Sequence, residues 1–188
     1  MASTDTKNAV RPATGTYTID PGHSGVSFTG RHLMISKVRG KFAVDSGSLV
    51  IADDPEQSSV EATVNVASVE SGDAKRDEHL RSSDFFDAER FPEITFESEG
   101  IQLNGDGRRF VIPGALTIKD VTRPIALGGN FRGSGVHPDG GERIAFGLWA
   151  HLDRTDFGLV WNRALETGGM LVGNTVELAV DVSAIRVD

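Results

Sequence analysis

TVELAVDVSAI, residues 175–185, decides the fold class. Val176, Leu178, Val180 and Val182 fall at every second position, and Glu177, Ala179, Asp181 and Ser183 fill the places between. A strand turns successive side chains to opposite faces, so period two predicts one apolar face and one largely polar face. The same reading holds for SVEATVNVAS (59–68), where Val60, Ala62, Val64 and Val66 oppose Glu61, Thr63 and Asn65. In RIAFGLWAHLD (143–153), Ile144, Phe146, Leu148, Ala150 and Leu152 share a face. These are half-buried antiparallel strands.

Working outward, turn signals separate such runs: Pro21-Gly22, Asp45-Ser46-Gly47, Asn104-Gly105-Asp106-Gly107, Lys119-Asp120-Val121-Thr122 and Pro138-Asp139-Gly140-Gly141. Eight or nine strands are expected, near 16–20, 24–31, 38–52, 58–69, 93–103, 108–119, 123–133, 142–153 and 174–187. Long strands joined by short hairpins predict an up-and-down barrel, all-β. About eight strands enclose an interior for side chains or one ligand. Residues 1–14 are polar and aperiodic and read as a flexible tail before a single domain over 15–188.

Composition narrows the function. The chain has 188 residues, enough for one domain, and a net charge of −8, which argues against a polyanion such as nucleic acid. Cysteine is absent, so disulfides, thiol nucleophiles and thiolate metal sites are excluded. No run is long and apolar enough to span a bilayer, and residues 1–15 contain no apolar leader core, so a soluble, cytoplasmic protein is expected. Nucleophile-elbow, phosphate-loop, dinucleotide and zinc-protease motifs are missing, so no catalytic residue is assigned.

Two segments interrupt the strands: 70–92 and 154–173. The first contains RDEHLRSSDFFDAERFPEITF (76–96), charged at its start and aromatic at its end. Residues 72–80 are expected to form a short helix with Asp73 as N-cap, within a helical segment at about 72–90, and Pro92 marks the return to strand. Such a segment closes a barrel end, handles a ligand, or does both.

Four stretches, in order across residues 16–187, carry a family resemblance. They are TYTIDPGHSGVSFTGRHLMISKVRGKF, RDEHL with DFFD and FPEITF, GALTIKDVTRPIAL, and RTDFG at 154–158. Together they resemble the YceI-like family of lipocalin-like, polyisoprenoid-binding proteins. The resemblance implies an extended eight-stranded antiparallel barrel around an apolar tunnel for an isoprenoid quinone, a polyprenyl compound or a fatty amide. It implies no cofactor other than that bound lipid. Members that pair as dimers make a homodimer the assembly it suggests.

On that basis the tunnel wall is assigned to Phe28, Phe42, Phe85, Phe86, Phe96, Phe110, Phe131, Phe146 and Leu148. The competing reading of each ring is a filled core. Arg76, His79, Arg154 and His32 are head-group candidates, since a forked guanidinium suits a pyrophosphate, carboxylate or amide. The competing readings are rim ion pairs, Arg76 or Arg81 with Asp77 and Arg154 with Asp156, that staple loops to the barrel. Phe85 and Phe86 then plug the tunnel while the charged half pins the segment. His23, His32 and His79 have no metal-ligand spacing and read as hydrogen-bonded imidazoles. Trp149 and Trp161 fit either wall or loop packing. The function expected is a lipid carrier or buffer; the alternatives are an enzyme acting on such a lipid, with His79, Asp77 and Arg76 as acid–base groups, or a stress-related interaction module with a filled barrel.

Overall fold

A computed structural model describes residues 11–105, 108–138 and 140–188. The alternating runs become strands of one antiparallel sheet, ten among the described residues: β1 (Gly15–Ile19), β2 (Gly25–His32), β3 (Ser36–Ile51), β4 (Ser59–Asn65), β5 (Glu93–Glu99), β6 (Gln102–Asn104), β7 (Arg109–Ile118), β8 (Val121–Val136), β9 (Glu142–Asp153) and β10 (Thr175–Arg186). From β2 to β10 neighbouring strands pair in chain order, except that β5 pairs with β7 and the short β6 flanks β7, and β10 returns to pair with both β9 and β2. This closes an eight-stranded up-and-down barrel, the expected architecture.

The eight positions hold more than eight strands for a physical reason. β1 pairs with β10 through Tyr17–Ile19 and with β3 through Gly15–Thr18, while β2 pairs with the other halves of the same two strands. β1 and β2 therefore fill one barrel position in succession. The break between them is a 3-10 turn, Pro21–His23, with proline in its first turn and the Asp20 carboxylate accepting from the Gly22 amide.

Lys119-Asp120 forms the expected hairpin: Ile118 pairs with Val121 and Lys119 takes a left-handed φ of 58°. Asp45-Ser46-Gly47 is not a turn. β3 runs through it, and the extra residue is absorbed as a bulge between Val44 and Ser46 opposite β4. The turns at 104–107 and 138–141 include Asp106, Gly107 and Asp139, and the tail includes residues 1–10, all outside the described residues. Of the tail's last residues, Ala13 accepts from the Tyr17 hydroxyl at 2.9 Å and Thr14 from Arg186 at 2.9 Å.

Following the chain up and down places both long insertions at one end. The β2–β3 tip, the β4–β5 crossing (66–92), the β7–β8 hairpin and the β9–β10 loop (154–174) all lie there. The helix α1 (Ala74–Arg81) sits in that crossing. Asp73 caps it by accepting from the Arg76 amide, Asp77 lies in its first turn, and His79 and Arg81 oppose the dipole in its last. At the other barrel end Tyr17, Ile144 and Ala184 are fully or almost fully buried and pack the interior shut.

Candidate functional site

The inward faces of the strands do not meet across the barrel. They surround a cavity of about 770 Å³ with an almost wholly apolar lining. Tyr17, Ile144 and Ala184 lie beyond its floor. Its exposed lining residues are Arg31, Ser36, Asp73 and Lys75, so it reaches water between the β2–β3 tip and the start of α1.

All eleven residues singled out as ligand-binding (Phe28, His32, Phe42, Arg76, His79, Phe85, Phe86, Phe96, Phe146, Leu148 and Arg154) border this one cavity. Phe110 does as well. Phe131 does not: it is half-buried and packs on Phe146 with ring centroids 5.5 Å apart. Phe85 and Phe86 enter from the crossing, Phe86 edge-on to Phe42 at 5.3 Å. Phe91, in the same crossing, instead carries the Arg90 guanidinium over its ring.

The wall rings leave the interior open because some lie flat on glycine. Phe28 faces Gly40 across the β2–β3 pair, and a Cβ at Gly40 would stand 2.3 Å from its ring. Phe110 faces Gly129 across β7–β8 with the same 2.3 Å approach. A side chain at either glycine would push the ring into the cavity. These glycines were not singled out in the sequence; the signal was an aromatic opposite a glycine in register, readable only once the pairing is known.

The polar groups at the mouth are arranged differently from the expected ion pairs. Asp77 is buried and accepts from both the amide and the hydroxyl of Ser71. Arg76 donates to the Ser71 hydroxyl at 2.7 Å and its carbonyl at 2.8 Å, so the two charges meet through Ser71 without touching. Arg81 donates to the Ala67 and Val69 carbonyls at 2.9 and 3.0 Å and fastens α1 to the chain entering the crossing. His79 bonds Asp84 at 2.9 Å and packs edge-on against Trp161 and Phe85, with ring centroids 4.6 and 5.1 Å away. Trp161 is thus mouth wall; Trp149 lies on the outer face against Gly128.

Arg154 does not pair with Asp156. Its side chain turns inward and is only 6% exposed, whereas Asp156 stays at the surface. The guanidinium donates to the carbonyls of Gly173 (2.9 Å), Trp161 (2.9 Å), Val172 (3.4 Å) and Leu159. Burial holds its pKa below the ordinary arginine value. One buried cation therefore gathers both arms of the 154–174 loop beside the cavity, compensated by carbonyl dipoles. His23 lies at the opposite barrel end, bonded to Asp20 at 2.8 Å, so the three imidazoles do not converge.

The site is thus an apolar barrel cavity with a polar mouth braced by Arg76, Arg81 and Arg154. The YceI-like domain family model matches residues 17–184, and the chain belongs to that family. A UPF0312 protein of Staphylococcus aureus is 33% identical over 165 residues, which cover 86% of this chain and 92% of that protein. Among solved structures, Burkholderia cenocepacia BcnA superposes with a TM-score of 0.71 at 24% identity, over 88% of this chain and 98% of that one. A polyisoprenoid-binding domain from Saccharophagus degradans, implicated in plant cell wall breakdown, gives 0.64 at 12% identity, over 93% and 100%. At those identities the two structures share the fold.

Proposed function

We propose that the barrel carries one long-chain amphiphile, an isoprenoid quinone, polyprenyl compound or fatty amide, with its tail in the cavity and its head at the mouth. The cavity is the observation that carries this reading. Its volume lies within the range of about 300–1,000 Å³ usual for small-molecule sites. Burying a five-carbon isoprene unit contributes about 4 kcal/mol before the costs of association. The family membership and the polyisoprenoid-binding domain of the same fold support the choice of ligand. At the mouth, Arg76 and the His79–Trp161–Phe85 cluster border the cavity, which supports the reading of a head group there. Asp77 is buried, takes two hydrogen bonds from Ser71 on one oxygen and does not border the cavity, which favours carrying over catalysis.

Phe28→Asp tests the assignment. Phe28 is half-buried on the wall, so a carboxylate there places charge in the tail's path while the packed end is untouched. Polyprenol or quinone affinity, read by fluorescence titration, is expected to fall about a hundredfold, as a desolvated charge requires. A folded Phe28→Asp protein that binds such a lipid like the wild type removes the tunnel from the mechanism.

A further inference from the structure

The β2–β3 hairpin ends in a turn whose side chains disagree with its backbone. The Ile35 amide donates to the His32 carbonyl, and Leu33 and Met34 take left-handed φ values of 53° and 60°. Two successive residues of that kind make a type I′ turn, which favours Asn-Gly. Bulky residues there are strained, and strain of this kind marks sites where something other than stability is served. Burial does not compensate: Met34 is 59% exposed and Ile35 83% exposed.

This tip stands at the cavity mouth. Its neighbours His32 and Ser36 line the cavity, whereas Leu33, Met34 and Ile35 do not. The β9–β10 loop runs beside it, through the Leu33 amide to the Leu171 carbonyl and the Gly173 amide to the Arg31 carbonyl. That contact brings exposed Met170, next to Leu171, to the same rim.

Cations flank the apolar tip. Arg31 faces Lys37 across the hairpin, Arg39 follows on the same outer face, Lys75 lies in the first turn of α1 and Arg163 lies on the neighbouring loop. Lys37 approaches Glu177 at 3.9 Å. Among the described residues no carboxylate forms an ion pair with Arg31, Arg39 or Arg163, while Lys75 shares its turn with the Asp73 carboxylate. A chain of net charge −8 thus sets three arginines without an ion-pair partner among the described residues, Arg31, Arg39 and Arg163, around this apolar tip.

We propose that this rim docks on an anionic phospholipid bilayer. Leu33, Met34 and Ile35 enter the interface, and the flanking cations meet lipid phosphates. The mouth then faces the phase in which a long-chain amphiphile resides. The purpose of the docking rests on the carrier reading; the docking itself is measured separately.

The test sediments the full chain with phosphatidylcholine vesicles, with and without phosphatidylglycerol. Wild-type protein is expected to bind the anionic vesicles about tenfold more tightly than neutral ones, a preference that high salt removes. Leu33→Asn with Met34→Gly supplies the pair the turn favours, so it is expected to raise the melting temperature while weakening vesicle binding at least about tenfold. Ile35→Asp is expected to weaken it similarly. Both variants are expected to bind detergent-solubilised polyprenol like the wild type. Wild-type protein that ignores anionic vesicles, or tip variants that sediment unchanged, overturns the proposal. So does a wild-type dimer that the tip variants convert to monomer, since a second copy then covers the tip. Vesicle binding without polyprenol binding supports docking and defeats the carrier reading instead.

Discussion

The two ends of the barrel are made by the same strands and behave oppositely. At one end Tyr17, Ile144 and Ala184 fill the interior, and Asp20 bridges the β1–β2 break to Arg143 and His23. At the other the strands stop short of closure, and a helical crossing and a long loop supply what lies over the opening. The wall is set by period-two alternation. Access is set by inserted segments, each braced internally by one arginine, Arg81 in the crossing and Arg154 in the loop, and tied to the wall by backbone hydrogen bonds between Lys41 and Glu70 and from Gly173 to Arg31.

The largest effect that would break this contrast is at Arg154. Arg154→Ala removes the four guanidinium hydrogen bonds to carbonyls of the 154–174 loop and is expected to cost about 3 kcal/mol in denaturant unfolding, since hydrogen bonds from a charged donor are the stronger ones. Limited proteolysis should show new cleavage within 159–173; unchanged stability would mean the loop is held by something else. Next comes the wall. Gly129→Val drives the Phe110 ring inward, is expected to cost about 1–3 kcal/mol, and should shift bound lipid toward shorter chains, read by mass spectrometry of extracts. An unaltered chain-length profile would mean that the ring's position does not set the volume. The smallest effect lies at the packed end. The hydrogen bond from Arg143, then that from His23, holds the Asp20 carboxyl below the usual carboxylate range. Its stabilisation is full above the unfolded aspartate value of about 3.9 and is lost as pH falls through the lower folded value. Asp20→Asn should therefore flatten the acid limb of a melting-temperature profile below about pH 4 and leave lipid binding unchanged.

The wall was legible in the sequence because alternation is local: Val176 to Val182 and Ile144 to Leu152 point inward as spaced. So was the α1 cap, since Asp73 needs only its own turn. What could not be read depends on partners distant in the chain. Arg154 sits two residues from Asp156, yet its acceptors are carbonyls five to nineteen residues away in a loop without periodicity. Gly40 and Gly129 look like turn or bulge residues until register puts Phe28 and Phe110 over them. The sharing of one barrel position by β1 and β2 likewise depends on pairing with β3 and β10. The aromatic half of 76–96 divides in space: Phe85 and Phe86 reach the cavity from the crossing, Phe96 from the wall, and Phe91 not at all.

The most direct test of the central claim is native mass spectrometry of the purified chain, followed by organic extraction of the same sample. A lipid-carrying barrel is expected to release a long-chain amphiphile at close to one molecule per chain, and to take it up again when the emptied protein is offered quinone or polyprenol. A chain that is empty as purified and stays empty with quinones, polyprenols and fatty amides would contradict it, and the cavity would not be a lipid site.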